Sequence, residues 1–126
     1  LYPLRNPIHE TGKNFATYFP IPDLNHHLLE SLPNPSSNKE NLLYVFLESE
    51  FYSEQIKRRI ELTKNVISKN GVNVEIIKLK AKSEFVQIFE AVQLNGFTAF
   101  YLALLNGVDP AVIPWVTYFQ ETFRRK

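Results

Sequence analysis

A short, continuous apolar run at residues 42–47 and a second candidate strand at residues 72–79 bracket a stretch whose apolar residues recur at helical spacing, and this pattern limits the fold more than any other feature. A run that is apolar throughout reads as a strand covered on both faces in a parallel sheet, because a surface strand alternates polar with apolar. Between these two candidate strands, Ile56, Ile60, Thr63 and Ile67 fall on one helical face, flanked by Leu62 and Val66. Ser53 suits the cap of that helix and Asn70-Gly71 its stop. The unit is βαβ, and its crossover is expected to be right-handed.

Before the first strand, Pro3, Pro7, Pro20, Pro22, Pro33 and Pro35 restrict residues 1–40 to short helical pieces. One piece is expected over residues 9–18, and a second from Asp23, an N-cap residue type, to just before Pro33. The polar stretch 34–41 reads as a loop. Residues 83–106 form one long helix with apolar side chains on nearly every side, Phe85, Phe89, Val92, Phe97 and Tyr101 among them. Such a helix belongs in a large core, a subunit interface or a membrane. Gln87, Glu90, Gln93 and Asn95 interrupt the run and no basic flank follows, which argues against a membrane span. A final helix opens at Asp109-Pro110 or nearer Pro114. Trp115, Val116, Phe119 and Phe123 are expected on its buried side, with the positive charges of residues 124–126 at its end.

With 44% hydrophobic residues in a chain of 126, one globular domain with a substantial core is the default. Two parallel strands cannot make a stable covered sheet alone, yet the helices carry apolar surface for a larger one. Further strands are therefore expected from sequence before Leu1 or from another chain, so that the α/β domain reads as incomplete at its N-terminus. A net charge of +1, from 14 basic and 13 acidic residues, provides no long-range field for nucleic acid or an anionic membrane. The absence of cysteine excludes disulfides, thiolate metal sites and cysteine nucleophiles, and fits a reducing cytoplasm. Residues 1–20 lack the basic start and apolar core of a secretion signal, although the chain also begins without methionine.

Several motifs lead nowhere. His9-Glu10 resembles the start of a zinc-protease helix, but Lys13 stands where the second histidine ligand is required. Lys57-Arg58-Arg59 reads as the solvated face of an amphipathic helix rather than a nucleic-acid patch. There is no glycine-rich nucleotide loop and no serine-centred nucleophile elbow.

Three other segments carry a resemblance. Residues 101–110, Tyr-Leu-Ala-Leu-Leu-Asn-Gly-Val-Asp-Pro, resemble the tyrosine-leucine-alanine and glycine-valine-aspartate-proline signature of the phosphoglucose/phosphomannose isomerase family. Leu24-Asn25-His26 resembles that family's proline-glutamate-leucine-asparagine-histidine motif, and Glu10-Thr-Gly-Lys13 its glutamate-asparagine-alanine-lysine motif, all in family order. The two strands and the helix through Lys57-Arg58-Arg59-Ile60 follow the same pattern, so the resemblance covers nearly the whole chain.

The resemblance implies that residues 1–126 are a C-terminal sugar-isomerase (SIS) domain, of the flavodoxin-like three-layer type with a parallel sheet. In that family an additional strand and a first SIS domain precede this region. The implied activity is aldose-ketose isomerisation of glucose 6-phosphate or mannose 6-phosphate with fructose 6-phosphate through an enediol, in a cytoplasmic homodimer without metal or organic cofactor. Glu10 would be the carboxylate that moves a proton between adjacent sugar carbons. His26 would assist ring opening in the neighbouring subunit's site, a task suited to imidazole, which exchanges protons near neutral pH. His27 and Leu28 depart from the family's asparagine and glutamate. The family's catalytic lysine corresponds to Gln120, which can hydrogen-bond a sugar oxygen but cannot transfer a proton as an ammonium group does. The phosphate would be held by an upstream serine- and threonine-rich loop, so this chain alone would not turn over substrate. Two other readings stand beside this one: a non-catalytic sugar-phosphate-binding or regulatory SIS domain, and an interaction module using the aromatic surface of residues 83–106.

Overall fold

A computed structural model describes residues 2–125. They form two compact units, one of residues 19–91 and a second made of residues 2–18 with 92–125.

In the unit Phe19–Ala91, strands β1 (Leu43–Glu48) and β2 (Asn73–Lys78) pair in parallel, with Leu43 opposite Asn73 and Glu48 opposite Lys78. They are joined by α4 (Glu54–Lys69), the fourth α-helix along the chain. Its start is set locally: the Ser53 hydroxyl accepts the Ile56 N–H at 3.3 Å. Its end is local too. Gly71 has a φ of 76°, a left-handed conformation that an L side chain resists, and Gly71 and Val72 donate to the carbonyls of Ser68 and Ile67. Ile60, Thr63 and Ile67 form the buried stripe. With Leu32, Phe46 and Val72 the two isoleucines make the core, each aliphatic side chain contributing roughly 1.5–3 kcal/mol when fully buried. The α/β reading with a parallel sheet therefore holds.

Coverage of β1 on both faces does not. Tyr44 and Phe46 point to the core, whereas Leu43 and Val45, on the opposite face by the two-residue period of a strand, are 57% and 50% exposed. Burial lifts the Tyr44 phenol above its ordinary pKa.

The segments before β1 also depart from expectation. Instead of a helix over residues 9–18, α1 spans Tyr2–Glu10. Pro7 lies inside it and removes one N–H, but the Pro7 carbonyl accepts from both Thr11 and Gly12 at 2.9 Å, which closes the helix end. A continuation to residue 18 is barred at Lys13, whose φ is +54°. The second piece is a single turn, α2 (Leu24–His27), followed by a 3-10 turn at Leu29–Ser31. Asp23 precedes α2 in helical conformation and makes no side-chain cap. Residues 34–41, expected as a loop, contain the short helix α3 (Asn38–Asn41). The Asn38 amide ties it to the carbonyls of Ser31, Leu32 and Asn34.

Helix α5 (Glu84–Leu105) begins in the first unit and continues in the second. By length and composition alone it could cross a membrane. Two polar residues that interrupt its apolar run have structural work. Glu90 accepts the N–H groups of Lys80 and Ala81 at 2.9 Å, and Gln87 donates to the Ala81 carbonyl at 2.9 Å, so both hold the loop after β2. Those backbone donors, Ala81 first and then Lys80, lower the Glu90 pKa below its usual value.

In the second unit α5 ends at Gly107, φ 67°, with Val108 N–H donating to Ala103 and Gly107 N–H to Leu104. The last helix, α6 (Pro114–Arg124), has Pro114 in its first turn; Asp109 does not open it, its carboxylate instead accepting the Ala111 N–H at 2.8 Å in a local turn. The face expected to be buried is exposed: Trp115 is 81% exposed, and Val116, Phe119 and Phe123 are open as well. An apolar stripe is buried only where another element covers it, and among the described residues none covers this one. Arg124 stands in the last turn of α6, while Lys126 lies outside the described residues.

Candidate functional site

Glu10 is the last residue of α1 and is exposed. The turn that follows is tightly built. Gly12 is buried, and a Cβ on it would lie 2.8 Å from the Ile8 carbonyl oxygen and 3.2 Å from that of Ala99 in α5, so the absence of a side chain permits the approach. The Lys13 ammonium donates to the Glu10 carbonyl at 2.5 Å and reaches the Pro110 carbonyl at 3.5 Å. A cation on the final carbonyls of a helix also complements its dipole. Two of the sequence motifs, Glu10-Thr-Gly-Lys13 and the segment ending in Asp109-Pro110, are thereby tied together within one unit.

Beside this turn the His9 imidazole pairs with the Ala16 carbonyl at 2.5 Å and stacks on Phe15 with ring centroids 5.7 Å apart. His9, Lys13 and Phe15 line an open concavity of about 760 Å³ with Asp109, Val112 and Trp115. Its wall is mostly apolar, with one ammonium and one carboxylate among the lining groups. Among the described residues no group of three or more histidine, cysteine or carboxylate side chains is placed to hold a metal ion.

His26 lies in the other unit, on α2. Leu24 is buried beneath the turn, whereas His26 and His27 are exposed and meet edge to face at 4.5 Å. The two histidines line an open concavity of about 540 Å³ together with Pro22, Asp23, Asn25 and Arg59. Below it the Asn25 amide donates to the Thr63 hydroxyl at 2.5 Å, and that hydroxyl donates to the Arg59 carbonyl at 2.6 Å. A hydroxyl has one proton, so giving it to Arg59 requires that the NH₂ side of Asn25 face Thr63. The Asn25 Oδ1 is buried and has no partner among the described residues.

Gln120 is exposed on α6, in the same unit as Glu10. Neither concavity is lined by more than one of Glu10, His26 and Gln120. Sequence reasoning misses the link between Asn25 and Thr63, because Thr63 reads as one more member of an apolar stripe. A hydroxyl among three isoleucines is the available signal.

A family model described as the bacterial phospho-glucose isomerase C-terminal SIS domain matches residues 2–123. Over 121 residues the chain is 22% identical to a bifunctional phosphoglucose/phosphomannose isomerase of Aquifex aeolicus, covering 96% of this chain and 38% of that protein. Over 109 residues it is 24% identical to a bifunctional phosphoglucose/phosphomannose isomerase of Thermoplasma acidophilum, covering 86% of this chain and 33% of that one. The chain thus spans 38% and 33% of the length of these two relatives. No solved structure matches the chain.

Proposed function

This chain belongs to the bacterial phospho-glucose isomerase C-terminal SIS domain family, and we propose that it works within a longer, two-domain protein that interconverts glucose 6-phosphate or mannose 6-phosphate with fructose 6-phosphate. The family match across residues 2–123 carries this reading, supported by relatives that are named as isomerases of both sugar types. Aldose and ketose differ by one proton shift between neighbouring carbons, together with a proton exchange on the two oxygens. A carboxylate that takes the carbon-bound proton, holds it while an enediol forms, and returns it to the adjacent carbon is sufficient for the central step. Glu10 has that role, on a turn held by Lys13 and Gly12.

His26 assists opening of the sugar ring from the partner subunit of a cytoplasmic homodimer, an assembly favoured by the exposed apolar faces of α5 and α6. No metal or organic cofactor enters this scheme. Gln120, in the place of a proton-transferring lysine, contributes a hydrogen bond to a sugar oxygen and lowers turnover.

The glutamine also favours a second reading, a regulatory domain that binds a sugar phosphate without converting it. An assay of the complete protein with fructose 6-phosphate, following glucose and mannose 6-phosphates separately, distinguishes the two. Under the first reading both products or one of them form, and Gln120→Lys raises kcat. Thermal stabilisation by fructose 6-phosphate with no product in either protein establishes the second. If there is neither product nor stabilisation, both readings fall.

A further inference from the structure

The turn that carries His26 is too short to set its own direction. Helix α2 has four residues, and a single turn of helix is unstable without tertiary contacts. Two contacts tie it down: Leu24 in the interior, and the hydrogen bond from Asn25 to Thr63. Thr63 itself is 1% exposed, between Ile60 and Ile67 on the buried stripe of α4. Valine has the same shape and would need no hydrogen bond there, so packing alone does not account for threonine. Burying a hydroxyl is unfavourable unless its proton and a lone pair are used. Here both are, the proton by the Arg59 carbonyl and the lone pair by the Asn25 amide. The next residue after Asn25 is His26, whose ring opens onto the concavity with Asp23, His27 and Arg59.

From this geometry we infer that Asn25 and Thr63 are positioning residues that fix where the His26 imidazole points, an inference that rests on the proposed role of His26 in ring opening. Leu24 holds the turn against the core, and the amide-hydroxyl link stops it from rotating about that anchor. Thr63 lies outside the concavity and acts through Asn25.

The test uses the complete protein with Thr63→Val, which removes the hydroxyl at nearly constant volume, and Thr63→Ser, which keeps it. Thr63→Val is expected to lower kcat between about 10- and 100-fold, as for a catalytic group displaced by about 1 Å. KM should stay within about twofold, because substrate binding is not the interaction removed. Thr63→Ser should restore most of the loss. Ring C–H resonances of the histidines give a readout independent of turnover: Thr63→Val should shift those of His26 and leave those of His9 in place. A wild-type protein without isomerase activity would remove the proposed function, and the His26 resonances would then decide the positioning role alone. Unchanged kcat with unchanged His26 resonances overturns the inference. Equal impairment in Thr63→Val and Thr63→Ser also overturns it, since the defect would then follow packing and not the hydroxyl. Should Thr63→Val fail to fold, Asn25→Ala breaks the same bond from its less buried side and is judged by the same two readouts.

Discussion

The close approach at Gly12 makes opposite-signed predictions for one chemical change at two places. At Gly12 an added Cβ would sit 2.8 Å from the Ile8 carbonyl oxygen, 3.2 Å from the Ala99 carbonyl oxygen and 3.3 Å from the Ala99 Cα. All three are backbone atoms, so relief requires the turn after α1 or helix α5 to move. Overpacking of this kind costs about 1–3 kcal/mol. Alanine also reduces the freedom of the unfolded chain, which offsets about 0.4–1 kcal/mol. Gly12→Ala is therefore expected to destabilise, by up to about 2.6 kcal/mol. At Gly96, in the interior of α5, an added Cβ meets nothing within 4 Å. There alanine should stabilise by roughly 0.5–1 kcal/mol through helix propensity. Urea-unfolding midpoints of the two variants in the complete protein, compared at equal slope, measure the difference. Alanine occupies the corresponding place in the family motif that residues 10–13 resemble, which makes the outcome informative. If Gly12→Ala stabilises as much as Gly96→Ala, the reasoning about the Ala99 contact is refuted.

Other outcomes follow from the core, from the loop contacts and from the family position of Gln120. Ile67 is fully buried, and Ile67→Ala should cost about 2–5 kcal/mol, read as loss of amide-exchange protection across β1, β2 and α4. The lowered pKa of Glu90 means that its stabilising effect is present above the usual glutamate value of 4.5 and is lost as pH falls through the lower folded-state value. Glu90→Gln should accordingly melt below wild type at neutral pH, with the gap closing on acidification; a gap that does not change with pH would show that the charge is not what holds Lys80 and Ala81. Gln120→Lys should raise isomerase kcat in the complete protein, and no change would remove Gln120 from the site.

Features that depend on neighbours along the chain are legible in the residues themselves. The apolar stripe of α4, its cap at Ser53 and its glycine stop are interactions within a few residues, and they stand where the sequence pattern puts them. The same holds for the two parallel strands and for the extent of α5. The bounds of α1 are not legible in this way, because its end depends on a left-handed residue that is not glycine and on an approach to Ala99, 87 positions further on, 99 minus 12. Asp23 has the right residue type for a cap but sits in helical conformation, so its carboxylate makes no cap bond.

Sequence by itself determined the α/β class, the βαβ order and the motifs around Glu10, His26 and Asp109-Pro110, because these rest on residue type, spacing and order. Tertiary structure alone decided which polar residues work for the fold and which apolar faces stay open. Thr63 became the partner of Asn25 across 38 residues, and Lys13 reached Pro110 across 97. The aromatic side of α6, by contrast, found no cover among the described residues. Hydrogen bonds and burial are settled by which elements meet in space, and periodicity along a chain records only that a face needs covering.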